Sequence, residues 1–300
     1  MARHILKMNN LMKTYILGTR KNAKKAQKAI QKLQKKYERQ VTKKDAAAAT
    51  TEAVLKRAQS LFASEKYEQS YQTITGQVLK KRSKDRGAVV HALRGVDLEI
   101  KQGELVAIMG PSGSGKSTLL NMLGLLDQPT AGQIFINAKN VASIKKRDLP
   151  DIRSNQLGFV FQSFNLVPTL TALENVMLPL KYAGIHLRKR RAMAKQALEQ
   201  VGLGDRLHHN PGELSGGQQQ RVAIARSVVN SPAIIFGDEL TGELDSQMTA
   251  EVMKLVVKLN RGGQTFVIVT HNPEVAKVCR RIIYMRDGKI EKEFNKVTVR

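Results

Sequence analysis

Glycine, lysine and hydroxyl side chains stand at phosphate-binding intervals in Gly110-Pro111-Ser112-Gly113-Ser114-Gly115-Lys116-Ser117-Thr118, a G-x-x-x-x-G-K-S run. Glycines let consecutive backbone N–H groups close round an anion, the lysine supplies a cation for β- and γ-phosphates, and the Ser117 hydroxyl suits Mg²⁺. The flanks provide the frame this needs. Leu105–Met109 is a short apolar run suited to a buried strand, and the residues from Thr118 to Leu123 are good helix formers. Strand, loop and helix in that order bring amides and a helix N-terminus to one point, so the chain is expected to bind a nucleoside triphosphate.

A second constellation narrows the chemistry. Ala233-Ile234-Ile235-Phe236-Gly237-Asp238-Glu239 reads as a buried strand ending in two carboxylates. Downstream of a phosphate loop, Asp238 is placed to serve Mg²⁺, and Glu239 to orient or deprotonate an attacking water. A third is Leu214-Ser215-Gly216-Gly217-Gln218, followed by the helix-forming Gln219 to Arg226. A Ser-Gly-Gly turn opening a helix points N–H groups, a hydroxyl and a dipole at an anion.

Leu-Ser-Gly-Gly-Gln resembles the signature of the ATP-binding cassette (ABC) ATPases, and other elements of that family fall in order. The resemblance covers about residues 89–290. It implies ATP and Mg²⁺ as ligands, with Ser215, Gly216, Gly217 and Gln218 completing the site on a second copy, so that a homodimer encloses two ATPs. It also implies that Gln162 is the glutamine that touches Mg²⁺ and the transport partner. Asp245, in Thr241-Gly242-Glu243-Leu244-Asp245, resembles the aspartate that signals across the dimer. His271, after the apolar Phe266–Val269, resembles the switch histidine that contacts the γ-phosphate. Glu239, His271 and Gln162 are thus the expected catalytic set. Ala92–Leu98 and Phe161–Leu166 are similar to the lipoprotein-releasing, macrolide-export and cell-division subgroup. That subgroup implies a membrane permease partner and a place on the cytoplasmic side of a membrane.

Two positions depart from the family pattern. The window Leu79–Asp85, where an aromatic residue that stacks on adenine is expected, has none and offers only Arg82 for a cation–π contact. Leu240 stands where proline, which would stiffen the turn toward Asp245, commonly follows the acidic pair; leucine should be tolerated there, with a looser link between hydrolysis and dimer signalling.

The elements that must position these groups read as an α/β domain over residues 87–300. It has a mixed sheet core, an antiparallel β part and a helical insert at about 165–212. Val96, Leu98 and Ile100 alternate with acidic residues as a half-buried strand does. Residues 281–290 read as a hairpin with an Asp-Gly turn. No apolar run approaches the ~20 residues needed to span a bilayer. The lone Cys279 excludes an intrachain disulfide and suits a reducing compartment. The formal charge of +25 is uneven: residues 1–86 hold 22 Lys and Arg against 6 Asp and Glu. These residues read as a basic, partly helical extension, loosely attached, with Ile30, Leu33, Tyr37 and Val41 as a thin apolar stripe. Its expected roles are docking on anionic lipid, an organelle presequence within residues 1–44, or contact with nucleic acid. The last would suit a soluble ABC ATPase acting on ribosomes, disfavoured because such members carry two cassettes and this chain has one.

Overall fold

The computed structural model describes residues 4–16, 21–42, 47–64, 67–75, 89–141, 144 and 146–296. The expected adenine window at 79–85 lies outside them. The described chain opens with strand β1 (His4–Ile16), followed by helices α1 (Lys21–Thr42), α2 (Ala48–Ala63) and α3 (Tyr67–Thr75). It returns as β2 (Val89–Lys101), antiparallel to β1. Next come β3 (Leu105–Met109), α4 (Lys116–Leu123), β4 (Ala131–Ile136) and the short β5 (Lys139–Asn140). Together β2-β1-β4-β5 form a four-stranded antiparallel sheet.

After α5 (Leu149–Gln156) and β6 (Leu157–Val160), the chain runs through α6 (Ala172–Tyr182), α7 (Leu187–Gln200) and α8 (Gly216–Val228). It then forms β7 (Ile234–Asp238), α9 (Ser246–Arg261), β8 (Phe266–Val269), α10 (Pro273–Val278), β9 (Arg281–Arg286) and β10 (Lys289–Asn295). The second sheet has six strands, in the order β10-β9-β3-β8-β7-β6. Its strands pair in parallel except β10, which turns back on β9 with Arg286 opposite Lys289.

The Val/Ile/Phe runs of β3, β7 and β8 are continuous because both faces of this sheet are covered. One face meets the antiparallel sheet and α4 through Phe236, Val267, Leu119, Met8 and Ile134. The other packs on the helical insert, α8 and α9 through Ile235, Ile268, Leu198, Val222 and Val256. Because β3, β7 and β8 run parallel, they deliver their C-terminal residues at one edge of the sheet. Cys279 is buried at the end of α10, and burial pushes its thiol up to about 12.

The reading of residues 1–86 as a loosely attached extension is corrected. β1 is an interior strand, paired with β2 on one side and β4 on the other, with Leu6, Met8 and Leu11 buried. The helices between β1 and β2 bury Ala26, Ile30, Leu55 and Phe62 against Met12 and Ala131 of the sheet. Leu33 and Tyr37 of the apolar stripe pack on that core, whereas Val41 is exposed. These helices supply most of a small core that they close against the sheet.

Candidate functional site

The phosphate loop lies between β3 and α4. Gly115 is the N-cap of α4 in the left-handed region, and no side chain caps the helix. By contrast Thr171, Ser215 and Asp245 cap α6, α8 and α9. The first amides of α4 are therefore left to an anion. Lys116 Nζ donates to the carbonyls of Gly110 and Pro111 at 2.8 and 2.9 Å, which sets the ammonium inside the loop. Ser114 is 2% exposed and its hydroxyl has no hydrogen-bond partner among the described residues. The loop is braced from outside by the β9–β10 turn. Gly288 N–H donates to Ser114 O at 3.0 Å, and Arg94 N–H donates to Gly288 O at 2.8 Å.

A cavity of about 920 Å³ opens over the loop, bounded by Lys116, Ser117 and Thr118 below, Glu239 and His271 on one side, and Tyr15 and Val90 on another. That volume suits a nucleotide-sized ligand. Glu239 takes a positive φ of 48° just beyond β7 and bonds through its N–H to Val269 O at 2.9 Å. A non-glycine residue in that region is strained, and such strain clusters at active sites. Its carboxylate meets His271 Nδ1 at 2.8 Å. The two side chains, from the ends of adjacent strands, face the loop together. Asp238 sits beside them. Burial first, and then the Glu239 charge, push its carboxyl above the usual carboxylate range, and Lys116 opposes the shift. A desolvated acidic pair beside one ammonium is an environment a divalent cation would relieve.

The structure does not bring every expected residue into this cavity. Gln162, after β6, lies against Gly242 beyond the acidic pair: a Cβ on that glycine would stand 3.0 Å from the Gln162 amide carbon. Asp245 accepts from Met248 N–H at 2.7 Å as the N-cap of α9. Ser215 and Gln218 form a reciprocal capping box at the start of α8, at 2.9 and 3.3 Å, and none of residues 215–218 lines the cavity of its own chain. Leu240 is 2% exposed, its carbonyl accepts from the buried Gln220 amide, and its side chain lies over Gly237. Leucine is accommodated here because packing and a side-chain hydrogen bond hold the turn. Arg226 of α8 donates to Asn165 O at 2.6 Å and Phe164 O at 2.8 Å, fixing the turn after Gln162.

Sequence reasoning missed Tyr15. Its ring lines the cavity at the end of β1, its hydroxyl donates to Asp127 at 3.3 Å, and Lys13 Nζ lies 4.9 Å from its centroid. An aromatic residue does face the nucleotide-sized cavity. It stands far upstream in sequence because residues 17–88 intervene before β2 is complete.

A strand–loop–helix anion site with an acidic strand end and a histidine at the neighbouring strand defines a phosphate-loop nucleoside triphosphatase. Comparison with known proteins supplies the family. The family model described as "ABC transporter" matches residues 93–242. An ABC transporter ATP-binding protein of Thermotoga maritima is 54% identical over 69% of this chain and 89% of its own length. A macrolide export ATP-binding/permease protein of Marinobacter nauticus is 53% identical over 67% of this chain, but the match spans 31% of that longer protein. The dimeric MJ0796 cassette, solved in a post-hydrolysis state with ADP and Pi, aligns with 97% of this chain and 98% of its own. Its TM-score is 0.67 at 36% identity. The chain belongs to the ABC transporter ATP-binding proteins. It is an ATPase of that family, similar to the macrolide-export subgroup, and the ribosome-acting alternative finds no support among these relatives.

Proposed function

We propose that this chain binds ATP with Mg²⁺ in the cavity over the phosphate loop, and hydrolyses it while paired with a second copy to drive a membrane permease. One observation carries the reading: Glu239 and His271 are coupled at 2.8 Å on the wall of the cavity that Lys116 and the uncapped N-terminus of α4 floor. The loop amides, Lys116 and Thr118 bind phosphates. Tyr15 stacks on the base. Glu239 orients the water and accepts its proton, with His271 holding that carboxylate and reaching the γ-phosphate.

Magnesium fits the donors. Ser117 and Asp238 offer a hydroxyl and a carboxylate, the Gln162 amide, here against Gly242, would add an oxygen by turning toward them, and no cluster of three or more His, Cys, Asp or Glu among the described residues offers a tighter cage. Mg²⁺ is commonly held by one or two carboxylates plus substrate phosphates and water. When bound, it neutralises phosphate charge.

Because Ser215, Gly216, Gly217 and Gln218 lie outside their own chain's cavity, they serve the γ-phosphate on the opposite copy, and Asp245 sits at the contact between copies. The dimeric MJ0796 structure supports this arrangement. No described helix is long and apolar enough to cross a membrane. A membrane permease is the partner that the name of the macrolide-export relative points to. Steady-state hydrolysis tests the reading. Wild-type protein should turn over ATP in Mg²⁺ and lose turnover in EDTA and in Glu239→Gln. Folded protein with no activity above that variant would refute it.

A further inference from the structure

Tyr15 is the penultimate residue of β1, with only Ile16, opposite Val89, following it in the strand. Something must hold a strand end in place if its last aromatic is to face a ligand, and here the helices between β1 and β2 do so from two sides. From α1, Gln27 Nε2 donates to Thr14 O at 3.4 Å, the carbonyl of the peptide that joins Thr14 to Tyr15. The same amide donates at 3.2 Å to Thr130 Oγ1, which accepts from Thr14 N–H at 2.9 Å. From α2, Phe62, 1% exposed, meets the His91 ring edge-on at 6.0 Å and 88°. His91 lies opposite Thr14 in the β1–β2 ladder, lines the cavity, and shares a 2.9 Å hydrogen bond with Thr14 Oγ1. On the other side of Tyr15, Ile16 packs against the core that Ile30 and Phe62 build.

We propose that the three-helix insert sets the position of Tyr15, and that Gln27 and Phe62 are positioning residues for the purine base of the bound nucleotide. The inference rests on Tyr15 being the base-stacking side chain. None of these insert residues lines the cavity, so they act through Thr14, His91 and Ile16. Their influence is confined to the base end, because the phosphate loop hangs from β3 and the β9–β10 turn.

The test compares ATP with inorganic tripolyphosphate, which occupies the phosphate loop without a base. Titration calorimetry on the full chain in Mg²⁺ should show that Gln27→Ala weakens ATP by roughly 3- to 10-fold, the range that one intramolecular hydrogen bond spans. Tripolyphosphate affinity should be unchanged. Turnover should show a raised KM with kcat intact. In a Tyr15→Ala background, Gln27→Ala should cost nothing further. Phe62→Leu, which keeps the core apolar, should repeat the pattern. Equal losses for ATP and tripolyphosphate, an undiminished Gln27→Ala effect without Tyr15, or no effect on ATP at all would each overturn the inference. Wild-type protein that binds neither ligand would overturn the proposed function itself.

Discussion

Two glycines with the same backbone conformation separate local strain from support of the phosphate loop. Gly103, in the turn after β2, and Gly288, in the β9–β10 turn, both have φ of 76°. A Cβ on Gly103 meets nothing within 4 Å, whereas one on Gly288 stands 2.7 Å from the Ala92 carbonyl oxygen. Gly103→Ala therefore pays for a left-handed alanine alone, about 1–2 kcal/mol, partly offset by a stiffer unfolded chain. Gly288→Ala pays the same and must also displace backbone of β2, which adds roughly the 1–3 kcal/mol of an overpacked site. The melting temperature should fall by about 2–4 °C for Gly103→Ala and at least twice that for Gly288→Ala. The two should also differ in function. Gly288 N–H supports Ser114 O, so Gly288→Ala should raise the KM for ATP while Gly103→Ala leaves it unchanged. Urea unfolding and ATP titrations on both variants supply the data. Equal stability losses, or an unchanged KM in Gly288→Ala, would refute the claim that this turn braces the loop.

Other expectations follow from single contacts. Leu240→Ala should lower stability by about 2–5 kcal/mol, as for other buried leucines, and a loss below 1 kcal/mol in urea titration would show that the turn after Glu239 is not held by packing. Asp238→Asn should abolish Mg²⁺-dependent turnover yet raise the melting temperature in nucleotide-free EDTA buffer. The folded carboxyl sits above its unfolded range, so its ionised form costs stability as pH rises past that range, and the amide stays neutral; a lower melting temperature at pH 8 would contradict this. Cys279, protonated at pH 8 because burial lifts it to about 12, should react with a maleimide only after denaturation.

What could be read from the sequence was what lies in short contiguous runs. The phosphate loop, the Asp238-Glu239 strand end and the Ser215–Gln218 turn are local geometries whose residues are adjacent, so spacing alone exposes them. β1 was hidden because its alternation is broken. Register shifts fall between Met8 and Leu11 and between Leu11 and Met12, and Asn10 takes a positive φ, which puts apolar residues out of period. The lysine-rich helices that follow then dominate the composition of residues 1–86. Tyr15 was invisible for a related reason: its neighbours in space, Val90 and Ala92, come after the whole insert in sequence. The stripe of Ile30, Leu33 and Tyr37 could be read as a buried helical face, but its partners Met12 and Ala131 are set by tertiary structure alone. The contacts that let leucine replace proline after Glu239, with Gly237 below it and Gln220 beside it, are long-range and so not visible in the sequence.

The central claim is that two copies close around ATP, each lending Ser215–Gln218 to the other's phosphate loop. Sedimentation velocity of Glu239→Gln, with and without saturating ATP and Mg²⁺, tests it most directly. The protein should sediment as a 33.3 kDa monomer without nucleotide and as a species of twice that mass with ATP, lost again in Ser215→Arg. A protein that binds ATP yet remains monomeric, or a dimer indifferent to both nucleotide and Ser215, would contradict it.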